Sequence, residues 1–285
     1  MTLHHRLMAR AYHVHKAAKA VGRSLGLVSA NSLRVLTYHN VALEQQAQMA
    51  AQLSWLARSW KFVSTAEFEA LMLGVEPIRG RNLLVTFDDG YASQRRVAEQ
   101  VLQPMGIRAL FFAVSDFVSM VDREAARQFI ARNIHPLTGP EGIPAHEYNM
   151  GWSDLEALLE QGHSIGAHTR THVRLVQVDS EPDLEREIIA SADTLAQRLG
   201  TPINHFAYTF GDIASFSPQA LAVARRRFRF VHSGLRGDNA KGVSPLTVRR
   251  EALGAGDSLG LVGAYVEGLA DFQYARARAQ LASWI

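Results

Sequence analysis

Two clusters of polar residues have the types and spacing needed for metal chemistry. Asp88-Asp89-Gly90 directly follows one apolar run, and His168-Thr169-Arg170-Thr171-His172 follows another. Two imidazoles and one carboxylate supply three protein ligands and leave a position open for water or substrate, which is typical of a catalytic zinc-type site. The aspartate that does not bind the metal would then be the general base for that water. The pattern predicts metal-assisted hydrolysis.

Two further polar positions follow apolar runs in the same way. His39 comes after one run, and Thr209-Phe210-Gly211-Asp212 comes after another. Each cluster also has an ordinary structural explanation, either as a helix-capping turn or as hydrogen-bonded core histidines. A functional explanation is favoured over a structural one, because all of these clusters would lie at the carboxyl-end rim of one parallel sheet.

The elements that position these residues alternate between strands and helices. The predicted strands are Arg34–Tyr38, Asn82–Phe87, Ala109–Val114, His163–His168, His205–Tyr208, Arg229–His232 and Leu246–Arg250. The predicted helices are Glu44–Ser59, Thr65–Leu73, Ala92–Leu102, Ser153–Gln161 (with Ser153 as N-cap and Glu156 completing a capping box), Pro182–Leu199 and Ser217–Arg226. Such alternation predicts a single α/β domain, a (β/α) barrel of about seven parallel strands. Residues 119–150 interrupt the alternation as an inserted excursion.

Composition excludes several classes of protein. The 285 residues are 47% hydrophobic and 20% charged, as expected for a globular core. The absence of cysteine excludes disulfide scaffolds, cysteine zinc sites and thiol catalysis. A net charge of +3 does not indicate nucleic-acid binding.

Residues 1–32 differ from the predicted domain at 33–285. No acidic residue precedes Glu44, and residues 3–25 have the pattern of a basic amphipathic helix. Its apolar stripe is Leu3, Leu7, Ala11, Val14, Ala18, Val21 and Leu25. Either the stripe packs the helix onto the domain, or it docks on a membrane surface or a partner. No secretory h-region follows the basic start, so we expect a cytoplasmic protein, at most peripheral to a membrane.

The two chemical motifs resemble those of a known family. Thr86-Phe87-Asp88-Asp89-Gly90 resembles the first signature of the polysaccharide deacetylases (carbohydrate esterase family four), and His168–His172 resembles their second. The resemblance covers about residues 33–250. It implies a distorted (β/α) barrel in which Asp89, His168 and His172 bind one divalent ion and Asp88 is the base. Zn²⁺ is the preferred ion, with Co²⁺, Ni²⁺ and Mn²⁺ as alternatives.

The third signature of that family is degenerate in this sequence. Aligning its glycine with Gly211 places Phe210 where a backbone N–H helps to hold the oxyanion. Thr209 then replaces the family's proline, and Ala207 replaces the arginine that steadies the base. Arg249 or Arg250, from a later strand, is the candidate substitute.

The motif that supplies the general acid also differs in position from the usual family order. The usual Leu-x-His is not found near the C-terminus. Leu36-Thr37-Tyr38-His39 resembles a permuted branch that acts on exopolysaccharides such as poly-N-acetylglucosamine. This resemblance implies that His39 is the general acid, with His232 as the competing candidate.

The predicted function is metal-dependent removal of N-acetyl groups from amino sugars in a polysaccharide or lipid-linked glycan. The expected partners are therefore a glycan or glycolipid substrate and no nucleic acid. Two alternatives stay open. One is a related C–N or ester hydrolase with another substrate, and the other is a catalytically weakened relative that binds carbohydrate or a synthesis partner.

Overall fold

A single parallel sheet forms the centre of the molecule. The computed structural model describes residues 3–240 and 242–285, and every strand-to-strand pairing among them is parallel. The strands are β1 Ser32–Tyr38, β2 Lys61–Phe62, β3 Arg81–Phe87, β4 Leu110–Ala113, β5 Ser164–Ala167, β6 His205–Ala207, β7 Phe230–His232 and β8 Glu251–Ala252.

The sheet curls into the predicted barrel. Its order is β7-β6-β5-β4-β3-β1-β8, with β2 paired to β3 beside this path. Val248, just before β8, bridges His232 at the end of β7, so the two ends of the sheet meet. All seven residues of β1 are buried, as expected for a parallel strand covered on both faces. The prediction of a distorted (β/α) barrel is confirmed.

Helices cover the outside of the barrel. They are α1 Leu3–Ser24, α2 Gln46–Ala57, α3 Thr65–Met72, α4 Ala92–Val97, α5 Ser115–Val118, α6 Arg123–Phe129, α7 Trp152–Glu160, α8 Glu181–Leu199, α9 Pro218–Ala224, α10 Leu259–Val266 and α11 Ala275–Ala282. The hydroxyls of Ser64, Ser180, Ser217 and Ser258 accept a backbone N–H in the first turn of α3, α8, α9 and α10 respectively.

Most predicted boundaries differ from the observed ones by one or more residues, and two of the differences have a clear local cause. The helix predicted to be capped by Ser153 begins one residue earlier, at Trp152, because the Asp154 carboxylate accepts the N–H of Gly151. The strand predicted at 246–250 is a 3₁₀ turn over Pro245–Thr247 followed by β8, since Pro245 favours a helical first turn.

The excursion between β4 and α7 forms a small satellite core. The rings of Phe117 and Phe129 stack 5.1 Å apart, and Tyr91 meets Phe117 edge to face. A π-helical turn, Ile130–Ile134, continues α6 toward the carboxyl ends of the strands. The excursion therefore covers one side of the rim.

Helix α1 packs on α10 through a different face from the predicted one. Met8 and Tyr12 are buried, whereas Leu7 and Val14 of the predicted stripe are exposed. The interpretation that the stripe packs onto the domain is therefore wrong, because the aromatic and methionine side chains on the opposite face make the contact. Leu3 is part of α1, but its side chain lies outside the described residues. Among the described helices, none is both long and apolar enough to cross a bilayer.

Candidate metal centre

The predicted polar clusters meet at one cavity on the rim. This cavity has a volume of about 570 Å³. Its lining includes His39, Asp88, Asp89, His168, His172 and Phe210. These residues follow β1, β3, β5 and β6, whose carboxyl ends form the same edge because all four strands are parallel. The structure thus brings together the residues that sequence reasoning placed on one rim.

Three side chains form a buried donor set. Asp89 Oδ1 lies 3.4 Å from His168 Nε2 and 3.3 Å from His172 Nε2. Three ligands held about 2.1 Å from one tetrahedral ion would be about 3.4 Å apart, so the spacing fits a zinc-type ion. Asp89 Oδ1 is buried and has no hydrogen-bond partner among the described residues. Such an orphaned carboxylate oxygen between two imidazoles fits an ion as its missing partner.

Backbone carbonyls fix both imidazoles in the tautomer that a metal requires. His168 Nδ1 donates to the carbonyl of Ala207 at 2.7 Å, and His172 Nδ1 donates to the carbonyl of Asn133 at 2.8 Å. Since a carbonyl can only accept, the proton is on Nδ1, and the Nε2 lone pair is free to coordinate. Burial alone would raise the pKa of Asp89, but the two neighbouring histidines hold that pKa well below its usual range. Asp89 is therefore ionised.

Backbone strain is concentrated at this site. Within residues 3–240 and 242–285, the non-glycine residues with positive φ are all at this rim: Asp89, Thr169, His172 and Phe210, at 78°, 61°, 62° and 62°. Each such conformation costs on the order of 1–3 kcal/mol and persists only where the surroundings enforce it. For His172, the Thr169 hydroxyl accepts its backbone N–H. The strained turn therefore directs the side chains of His168 and His172 toward one point.

Asp88 is held separately by a buried arginine. Arg250 donates to both of its carboxylate oxygens, at 2.7 and 2.9 Å, and Arg250 Nε donates to the Ser233 carbonyl. Burial would raise the pKa of Asp88, but the Arg250 guanidinium lowers it below its usual range. Arg250, and not Arg249, supplies the contact expected from the missing family arginine. Arg249 instead donates to the carbonyl of Asp238.

The two candidate acids have very different positions. His39 lies at the mouth of the cavity with its side chain half exposed, and its Nε2 is 4.0 Å from Asp88 Oδ2. His232 is fully buried in the barrel and is bonded to His205, which in turn contacts Glu69. Burial holds the pKa of His232 well below its usual range. Geometry favours His39, which can reach both the base and a substrate.

Side-chain and backbone contacts hold the third-signature loop, which lacks the family's proline. The Thr209 hydroxyl donates to the carbonyl of Val173, and the Phe210 ring lies against His172 at 4.9 Å and beneath the guanidinium of Arg174. A Cβ on Gly211 would lie 2.8 Å from the Gly234 backbone, so this position requires glycine. Phe210 is thereby fixed beside the metal ligands.

Sequence reasoning missed several residues of the cavity wall. Tyr91 and His135 line the cavity, and the Tyr91 hydroxyl is 3.3 Å from His135 Nε2. Tyr274, from the C-terminal region, lines it too. Tyr91 follows the Asp-Asp-Gly motif directly, and that adjacency was a usable signal. His135 and Tyr274 reach the rim only through tertiary packing and had no such signal.

Comparison with known proteins agrees with this geometry. The family model described as polysaccharide deacetylase matches residues 76–226, more than half of the chain. The chain belongs to the polysaccharide deacetylase family. As a member of this family, the protein is a carbohydrate deacetylase and hence a hydrolase. No curated protein sequence gives a significant match.

Several solved structures share the fold. IcaB from Ammonifex degensii is 24% identical, with a TM-score of 0.65 over 83% of this chain and 97% of that one. Streptococcus pyogenes deacetylase PplD, solved with acetate, is 18% identical, with a TM-score of 0.65 over 84% and 99%. The BpsB deacetylase domain from Bordetella bronchiseptica is 16% identical, with a TM-score of 0.62 over 79% and 97%. At these identities the likeness establishes the fold alone.

Proposed function

We propose that this polysaccharide deacetylase uses one divalent ion to hydrolyse N-acetyl groups of amino sugars in a polysaccharide or lipid-linked glycan. The observation that carries the proposal is the buried donor set of Asp89, His168 and His172 next to the Asp88–Arg250 pair. The donor chemistry supports Zn²⁺, with Co²⁺, Ni²⁺ and Mn²⁺ as alternatives, because imidazole and carboxylate ligands suit these ions.

The protein's own groups divide the remaining chemistry. A bound ion would act as a Lewis acid on the acetyl carbonyl and acidify a water molecule. The Asp88 carboxylate accepts the proton of the attacking water, and Arg250 keeps that carboxylate ionised and oriented. The backbone N–H of Phe210 stabilises the developing oxyanion, an interaction worth about 3 kcal/mol.

Collapse of the tetrahedral intermediate requires a proton on the departing amine. His39 donates it, because histidine changes charge near neutral pH and His39 follows β1, on the other side of β3 from the strand that precedes His168. Breaking the C–N bond releases acetate and a free amino sugar.

The cavity walls support a sugar substrate. Tyr91, Phe210 and Tyr274 place aromatic side chains in the wall of the cavity, where they can pack against sugar rings. The position of Tyr38-His39 before Asp88 in the sequence resembles the permuted exopolysaccharide branch of the family, and this resemblance supports a substrate of the exopolysaccharide type. The degenerate third signature no longer favours a weakened relative, because Arg250 replaces the missing arginine.

Acetate release tests the proposal. The protein loaded with Zn²⁺ is incubated with N-acetylated chito-oligomers and, separately, with O-acetylated sugars, and acetate is quantified. We expect amide turnover that is lost, together with bound metal, in His168→Ala. Turnover of esters alone would favour the ester-hydrolase alternative, and absence of turnover with metal bound would favour a carbohydrate-binding relative.

A further inference from the structure

Helix α1 presents a continuous apolar surface to solvent. This surface, called the outer stripe below, consists of Leu25, which directly follows the helix, and of five helical residues: Leu7, Ala11, Val14, Ala18 and Val21. Its four larger side chains are between 56% and 74% exposed. A spacing of three or four residues aligns them along one side of the helix. Leu27, just beyond, is 78% exposed and extends the same apolar surface.

The outer stripe does not attach the helix to the barrel. That attachment uses the opposite face, where Met8 and Tyr12 are buried against α10. At the other end of the helix, Lys19 donates to the backbone carbonyl of Glu267, and Arg23 pairs with its carboxylate. A helix needed only as a cover for α10 would have polar residues on its outer side. The outer stripe is therefore available to another surface.

Charge identifies the kind of surface that fits. Arg6 and Arg10 are exposed and border the outer stripe on one side, and Lys16 is exposed farther around the helix. No acidic residue lies in the sequence before Glu44. An apolar stripe bordered by cations suits the interface of an anionic bilayer, where apolar side chains enter the acyl boundary and basic groups meet lipid phosphates.

We propose that the outer stripe docks the protein on an anionic membrane, with α1 lying in the plane of the interface. Helix α1 runs alongside α10, from Ala9 opposite Gly260 to Lys19 at Glu267. Since α10 returns from the carboxyl end of β8, the N-terminal part of α1 lies toward the rim that carries the cavity. Docking holds that rim close to the bilayer without α1 taking part in the chemistry.

Vesicle co-sedimentation of the full chain tests the docking. The probes are phosphatidylcholine vesicles with and without phosphatidylglycerol. We expect binding to the anionic vesicles, at least about tenfold weaker in L7S/V14S/V21S because its buried apolar area is lost. Charge reversal in R6E/R10E weakens it by a similar factor and lowers its salt sensitivity. The matched control V75S/V121S/L137S removes three exposed apolar side chains elsewhere and keeps wild-type binding.

Wild-type protein that ignores anionic vesicles, or a stripe variant that binds like wild type, would overturn the proposal. A dimer in solution that depends on the stripe, seen by light scattering without vesicles, would also overturn it and identify a second copy as the occupant. Helix content and bound metal are measured in every variant. Both stay at wild-type values, because the outer stripe contacts neither the core nor the cavity. Failure of docking is thus distinguishable from failure of the proposed deacetylation.

Discussion

Asp88 and Asp89 are adjacent in sequence, yet their surroundings give them different tasks. Successive residues leaving a strand point in different directions. Asp89 turns toward two imidazoles, and Asp88 turns toward a guanidinium. One carboxylate is thereby suited to an ion and the other to a proton. The contact between Arg250 and Asp88 also restores what the degenerate third signature lacks, from a position late in the chain.

Replacing Arg250 by lysine tests its role as a positioning residue. R250K removes the bidentate hydrogen bond to Asp88 and weakens the electrostatic stabilisation of its carboxylate. The pKa of Asp88 therefore rises. Because the base must be ionised, we expect the acidic limb of the kcat/KM profile to move to higher pH. Misplacement of the base lowers kcat by about tenfold to hundredfold. R249K is the control, since Arg249 contacts the Asp238 carbonyl and not the base. An unshifted acidic limb in R250K would remove Arg250 from the account.

The two histidine candidates are separable by paired variants. We expect H39Q to lower kcat by about 10²–10⁴-fold with an unchanged melting temperature, because His39 is half exposed and supplies a proton. We expect H232Q to lower the melting temperature, since the side chain is buried and bonded to His205. Steady-state acetate release and thermal unfolding measure the two effects. Loss of turnover in a stable H232Q, with normal turnover in H39Q, would exchange the roles.

At the scale of elements, the strands were the most predictable part of the molecule. The apolar runs before Asp88 and at residues 110–113 identify β3 and β4, because parallel strands buried on both faces have no alternation. The motif residues at strand ends therefore also fell on one rim as predicted. Local signals failed where tertiary contacts decide, as at β2, which has two residues and exists through its pairing with β3.

The sequence did not predict which face of α1 packs on the barrel. It also did not predict the backbone conformation of the metal turn, His168–His172. Hydrophobic periodicity correctly predicted a helix with an apolar stripe, yet Met8 and Tyr12 contact the barrel instead. Likewise, the His-x-x-x-His spacing suggested a metal pair, but both Asp89 and His172 adopt positive φ. Propensity disfavours that conformation, and only the assembled rim enforces it.

The excursion at residues 119–150 contributes directly to the metal turn. Asn133 accepts the Nδ1 proton of His172 through its carbonyl, and its side-chain amide donates to the Thr171 carbonyl at 2.7 Å. We expect N133A to weaken metal affinity by about tenfold, a typical effect for a residue supporting a ligand. The control Q128A removes an amide that contacts Glu124 within the same excursion. Metal titration with a competing chelator measures both, and equal affinities would show that the Asn133 side chain does not support the metal ligands.

For the whole molecule, a buried ionic cluster supports the closure of the barrel. Glu251 in β8 accepts from Arg34 in β1 at 2.6 Å and from Arg236 at 3.0 Å. Arg34 also pairs with Asp271 near the C-terminus. Glu251 is completely buried, and burial raises its pKa. This cluster joins the last strand, the first strand and the C-terminal region.

Removing the central carboxylate of that cluster has a predictable cost. E251Q leaves the buried Arg236 guanidinium without a countercharge and leaves Arg34 paired only with Asp271 and Asp238. We therefore expect the free energy of unfolding to fall by about 3–5 kcal/mol. The control E99Q breaks the pair between Arg95 and Glu99, whose carboxylate is half exposed, and costs about 0.5 kcal/mol or less. Urea denaturation measures both. A loss in E251Q no larger than in E99Q would mean that the cluster does not stabilise the closed barrel.

The central claim is that one rim joins a metal site to a separate base, and metal content measured alongside acetate release tests it most directly. D88N should keep bound Zn²⁺ near wild-type occupancy while turnover falls by about 10²–10⁴-fold, because only the proton acceptor is removed. D89N should lose Zn²⁺ and recover part of its activity in excess Zn²⁺ or Co²⁺. Metal lost from D88N and kept in D89N, or normal turnover in both variants, would contradict the account.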